Sequence, residues 1–215
     1  MKRLWKNSLL GWASLGLLLT ASEAKAATET FTFPHPPSTT EWSDTFVLQQ
    51  FNPALGSLQS VFIEATESVT INGAVNNTAT VPESFTFRAG SQLILTLPGT
   101  LGSLLPSPLA SAQAFNLASG GSALYGPVNA SDTASSTYTL PADMASFIGA
   151  GTLNLPGVTQ SQELIAGGGG NITAILNTVA GATVEVQYTY SAVPEPGSLV
   201  LLALGGAVML LRRRR

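Results

Sequence analysis

The sequence predicts a mainly β protein whose central stretch folds as an antiparallel β-sandwich or jelly-roll-like domain. Three observations carry this: short runs of alternating apolar and polar residues, turn-forming pairs between them, and no strand–helix–strand succession of the kind that builds a parallel sheet. The clearest run is 182–190, where Val184, Val186, Tyr188 and Tyr190 share one face and Thr183, Glu185, Gln187 and Thr189 the other. Successive side chains of a strand point to opposite faces, so such a run buries one face and wets the other.

Weaker alternation at 45–51, 60–66, 68–75, 83–88, 91–97 and 172–179 predicts further strands, punctuated by Asn72-Gly73, Asn76-Asn77, Ala89-Gly90, Pro98-Gly99 and Gly181. The interval 98–126 is irregular. Residues 101–110 read as a loop with exposed leucines, 111–118 as one or two helical turns, and 141–148 as a second possible turn. Gly167 to Gly170 are followed by no lysine and lack the strand-then-helix setting of a phosphate-binding loop, so they read as a flexible hairpin connection.

The two ends differ from this middle. Lys2, Arg3 and Lys6 precede an apolar run at 9–19, and Ala24-Lys25-Ala26 supplies a small-x-small cleavage pattern. Residues 1–26 therefore read as a secretory signal peptide, with cleavage set by Ala24 and Ala26. At the other end Pro194-Glu195-Pro196 precedes the apolar run 199–211, and Arg212, Arg213, Arg214 and Arg215 close the chain. Thirteen helical residues span only about 20 Å against about 30 Å of hydrocarbon. Four terminal cations nevertheless suit a stop-transfer segment that keeps them cytoplasmic. Two prolines fix φ, and Pro196 biases Glu195 toward extended backbone, so the motif presents its carboxylate on a stiff, non-helical segment. The expected organisation is a signal peptide at 1–26, a β-rich extracytoplasmic domain at 27–192 and a C-terminal transmembrane helix within 193–215.

The tail, taken as a Pro-Glu-Pro motif, an apolar segment and an arginine cluster in that order, resembles the PEP-CTERM sorting signal. The resemblance covers 193–215. It implies recognition by an exosortase, a membrane-embedded cysteine protease or transpeptidase of Gram-negative bacteria that typically make exopolysaccharide. It also implies a chain held transiently at the inner membrane and then released or attached at the cell surface or extracellular matrix. The segment Phe51-Asn52-Pro53-Ala54-Leu55-Gly56-Ser57-Leu58-Gln59-Ser60-Val61 resembles the opening of the choice-of-anchor E group, β-rich surface domains without an assigned activity. On that reading Gly56 permits a turn, and Leu58 and Val61 begin the first long core strand.

Charge and composition narrow the function classes. Between residues 27 and 193 ten acidic residues stand against Arg88 alone, a net of −9. One cation cannot neutralise a run of phosphates, which excludes nucleic acid as a partner. The chain has no cysteine and one histidine, His35, set in a proline-stiffened Phe33-Pro34-His35-Pro36-Pro37 segment that reads as an exposed loop. No Cys/His dyad, Ser-His-Asp triad or two-histidine metal site has support. Paired carboxylates remain, with Glu41 and Asp44 or Glu64 and Glu67 as nearest candidates. Residues three apart on a strand face opposite sides, so Glu64 and Glu67 read as solvated positions. Asp132 and Asp143 lack a calcium-loop pattern, and neither cofactor nor metal is expected. Trp42, Tyr125, Tyr138 and the C-terminal tyrosines are candidates for stacking on sugars, with burial in the sandwich as their default.

The expected function is thus that of an exported, non-catalytic surface or matrix protein. Exosortase and signal peptidase are its processing enzymes, and exopolysaccharide is a candidate partner. A secreted carbohydrate-binding module or a two-carboxylate glycosidase are the alternatives.

Overall fold

The computed structural model describes residues 26–193, together with 205, 206, 209, 212 and 213. Residues 25–193 form a compact unit of their own. Its strands are β1 (Ala26–Thr39), β2 (Ser43–Gln49), β3 (Gly56–Asn77), β4 (Glu83–Thr96), β5 (Ser103–Leu104), β6 (Gln113–Leu117), β7 (Ser122–Tyr138), β8 (Thr152–Gly167) and β9 (Ile172–Ala192). One short helix, α1 (Pro141–Met144), runs into a 3₁₀ turn at Ala145–Phe147, where the expected turn at 141–148 lies. The first sheet has the order β1-β9-β3-β7. The second has the order β2-β8-β4-β5, with β6 also on β4. All strand pairs are antiparallel, and the architecture is the predicted β-sandwich.

Alternation builds the core directly. In β3, Val61, Ile63, Ala65, Val69 and Ile71 point inward and are buried, while Ser68, Thr70 and Asn72 point to solvent. Val184, Val186 and Tyr188 of β9 repeat the pattern next door, and Leu93 and Leu95 of β4 face them from the second sheet. A second apolar cluster lies around Phe85, Phe87, Tyr125 and Ile71. Aliphatic and aromatic side chains of this size contribute about 1.5–3 kcal/mol each on full burial.

Several turn expectations are corrected. Asn72-Gly73 lies inside the 22-residue strand β3, at a bulge in its pairing with β7. A Cβ on Gly73 would stand 2.1 Å from the Ile175 carbonyl oxygen, so glycine marks close strand approach there and not a reversal. Ala89-Gly90 is likewise internal to β4, where a Cβ would meet Pro108 O at 2.2 Å, and Gly181 is internal to β9. The expected helical stretch 111–118 is mostly β6, paired with β4, with Phe115 stacked on Phe85 at 5.4 Å. Of the leucines expected to be exposed, Leu104 is in the core and only Leu105 is open to solvent. The four glycines do not close a hairpin. Gly167 to Gly170 all have positive φ, from 58 to 92°, and carry the chain from β8 in the second sheet to β9 in the first.

Candidate functional site

The ends of the folded unit are brought together by one antiparallel pairing. Ala26, the first residue of β1, is in register with Ser191 of β9, and β9 ends at Ala192. Gly56 of β3 pairs with Ala192 on the other side. The last backbone tie is made by Val193, whose N–H donates to Leu55 O at 3.1 Å. Pro194 follows immediately and has no N–H with which to extend a ladder. The predicted leader cleavage position at Ala26 and Val193, the residue before the Pro-Glu-Pro motif in sequence, therefore lie at the same end of the first sheet.

Ala24, Pro194, Glu195, Pro196, Arg214 and Arg215 lie outside the described residues. Arg212 and Arg213 are exposed, and Arg213 N–H donates to Met209 O at 3.2 Å. Among the described residues no helix is long and apolar enough to cross a membrane.

The candidate acid/base residues come from different elements and do not share one cleft. Glu41 is exposed, adopts φ 68°, and its N–H donates to Thr159 Oγ1 at 3.1 Å. Asp44 is at the start of β2 and stands 3.5 Å from His35 Nε2. His35 corrects its loop expectation: it belongs to β1, its side chain is only 12% exposed, and its ring stacks on Trp42 at 3.9 Å. Pairing with β9 makes 26–39 a strand despite three prolines, which an edge strand tolerates.

Glu67 is the larger correction. It is fully buried on the inner face of β3, not solvated. Its Oε1 accepts from Ser91 Oγ at 2.6 Å and its Oε2 from Leu93 N–H at 2.8 Å, both on β4 of the opposite sheet. Burial pushes its pKa up, opposed by these two hydrogen bonds, and Asp132 adds to the rise. Register also creates acid pairs that linear spacing hides: Glu64 faces Glu185, and Glu67 faces Asp132. Glu64 and Glu185 lie on the outer face of the first sheet, and the shallow depression on that face is lined by no acid.

The aromatic candidates pack inward. Tyr125 and Tyr188 are fully buried, and Trp42, Tyr138 and Tyr190 are half-buried against the core. Tyr188 OH donates to Gln49 O at 2.8 Å, and burial, with Glu29 nearby, raises its pKa. No aromatic residue is among the exposed large apolar side chains of the described residues. Among those residues no three His, Asp or Glu side chains group as metal ligands.

Residues 192–215 match the family model for the PEP-CTERM protein-sorting motif. The tail is a sorting signal. It marks an exported, cell-surface-directed bacterial protein that an exosortase processes. Among solved structures, the chain is similar at 12% identity to one of the infectious bursal disease virus Gx strain, over 82% of this chain and 43% of that chain, with a TM-score of 0.15. It is similar at 14% identity to infectious bursal virus derived T=1 particles, over 89% of this chain and 49% of that one, with a TM-score of 0.16. The chain spans less than half the length of these solved chains. None of the curated proteins matches it.

Proposed function

We propose that residues 27–193 are the cargo of this sorting route, a non-catalytic domain delivered to the cell surface or extracellular matrix. The observation that carries the reading is the three-part tail at 192–215, which begins where the last backbone tie of the fold ends. Signal peptidase removes residues 1–26, which costs the domain only the first ladder position of β1. The apolar run 199–211 holds the chain at the inner membrane, Arg212 to Arg215 stay cytoplasmic, and the exosortase acts at Pro194-Glu195-Pro196. The resemblance at 51–61 to the choice-of-anchor E group supports a surface domain of this kind.

A non-catalytic role is supported by the engagement of His35 with Asp44 at 3.5 Å and with the Trp42 ring, which leaves the imidazole no open face toward a cleft, and by the open position of the Glu64–Glu185 pair. A two-carboxylate glycosidase needs its acids across a cleft that holds the sugar. Carbohydrate binding by aromatic stacking would need exposed rings. A different observation favours contact with exopolysaccharide, namely the outer-face ladder Thr66–Thr133, Ser68–Ser131 and Thr70–Asn129, with oxygen separations of 2.9, 3.2 and 2.7 Å. Intact-mass analysis of the protein from its native host tests the main reading. The expected mass lacks both residues 1–26 and the apolar run with its arginines. A mass that retains residues 212–215 overturns it.

A further inference from the structure

The end of the first sheet away from Ala26 and Ala192 carries an apolar row that no other described residue covers. Ala74 of β3 stands in register between Leu124 of β7 and Ile175 of β9. Those two flanking side chains lie largely in solvent, 82% and 73% exposed. Asn72, Gly73, Ala74, Gly126 and Pro127 floor a shallow depression between them. The rows on either side are polar and uncharged: Asn76 faces Thr173 and Ser122, and Asn72 faces Asn177, whose Nδ2 lies 3.3 Å from its Oδ1.

We propose that this row is a self-association surface on which a second copy of the chain lays the same residues in a two-fold contact. Self-complementarity is the requirement of such a contact, since each copy must offer both the projection and the recess. The large–small–large order Ile175, Ala74, Leu124 supplies both. Leu124 of one copy seats over Ala74 of the other, and the reverse contact follows by symmetry.

Charge selects the occupant. A domain with a net of −9 repels its own copies over most of its surface. The segments 68–82, 89–131 and 164–184, which build this end of the sheet, contain no Asp, Glu, Lys, Arg or His. Here two copies approach without like charges, whereas a basic partner finds nothing to pair with. The recess lies far from the end of the described strand, since Ile175 is 17 residues along β9 from Ala192, about 56 Å at ~3.3 Å per residue.

The chain has no cysteine, so a single introduced thiol is a clean probe. Full-length Leu124→Cys, produced in the native host and treated with a short bis-maleimide, should give a species of twice the chain mass. Its yield should be about tenfold that of Thr32→Cys, an exposed position on β1. Adding Ala74→Arg, or separately Ile175→Lys at the exposed rim, should return the yield to the control level with the unfolding midpoint unchanged. Equal yields at positions 124 and 32, an adduct with a different protein, no adduct, or a dimer indifferent to both added variants in folded protein would each overturn the proposal.

Discussion

Along the inner face of β3 the order is Val61, Ile63, Ala65, Glu67, Val69, Ile71, so one carboxyl group sits at the seam between the two apolar clusters. It stays there because both oxygens are hydrogen-bonded to β4, which makes Glu67 a tie between the two sheets. Among the described residues no Lys or Arg offsets its charge, since Arg88, the one such residue between 27 and 193, lies on the outer side of β4. Burial therefore raises its pKa in the folded state above the unfolded value of 4.5. The unfolded chain gives up this proton first as pH rises. The stabilisation is fully present below about pH 4.5 and is lost as pH climbs through the higher folded value. Glu67→Gln keeps the shape, accepts from Leu93 N–H and can donate to Ser91 Oγ. The stability difference, wild type minus Gln variant, should thus fall as pH rises from 4 to 8 in a series of urea midpoints. A difference that is flat or grows with pH contradicts the assignment. Removing the group with Glu67→Ala should cost about 1–3 kcal/mol near pH 4 by leaving buried donors short of partners, and that cost should shrink as pH rises, as it does for the Gln variant.

At the scale of elements, β3 and β9 are strands of 22 and 21 residues that pair along almost their whole lengths. Gly73 allows this by letting the Ile175 carbonyl come where a Cβ would stand. Gly73→Ala should push β3 and β9 apart opposite Ile175 and Leu176, cost about 1–3 kcal/mol and lower the thermal midpoint. Gly99→Ala, a positive-φ turn position with open space around it, should cost no more than about 1–2 kcal/mol of backbone strain. Thermal unfolding of the two variants checks the ranking. The same glycine shows what the sequence hides. Alternation around Val61–Ile71 and Val184–Tyr190 made the core faces legible, because period two is a local property. Whether Gly73, Gly90 and Gly181 reverse the chain or admit a neighbour depends on strands far away in sequence, and turn chemistry alone reads them as reversals. Glu67 is hidden for a related reason. It reads as a solvated position between two short strands, 60–66 and 68–75; the single strand β3 runs through it, and its partners Ser91 and Leu93 come only from the packing of one sheet on the other. His35 packs as it does because 26–39 finds β9 as a partner, a long-range pairing that its prolines obscure.

On the scale of the whole molecule, the last described tie of the folded unit, at Val193, adjoins the Pro-Glu-Pro motif in sequence. Pro194 has no N–H with which to extend the ladder, so on the proposed route the tail is handled without disturbing β9. Of the sorting signal, the order of motif, apolar run and arginines was fully legible in sequence because its recognition is linear and needs no tertiary partner. Antiparallel pairing of β1 with β9 then places Ala26 beside Ser191, so on the proposed route both the leader and the tail join the domain at the end where Gly56 meets Ala192. Glu195→Ala removes the carboxylate while both prolines keep the segment extended. If the carboxylate is the recognised group, this variant should accumulate as a membrane-bound form retaining residues 196–215, with the stability of residues 27–193 unchanged. Wild-type chain in cells lacking the exosortase should accumulate in the same form. The C-terminal peptides of both, compared with wild type in normal cells by mass spectrometry, give the result directly. Normal processing of Glu195→Ala would assign recognition to the prolines and the apolar run, and an intact Arg212 to Arg215 on wild-type protein in normal cells would make the tail a permanent anchor.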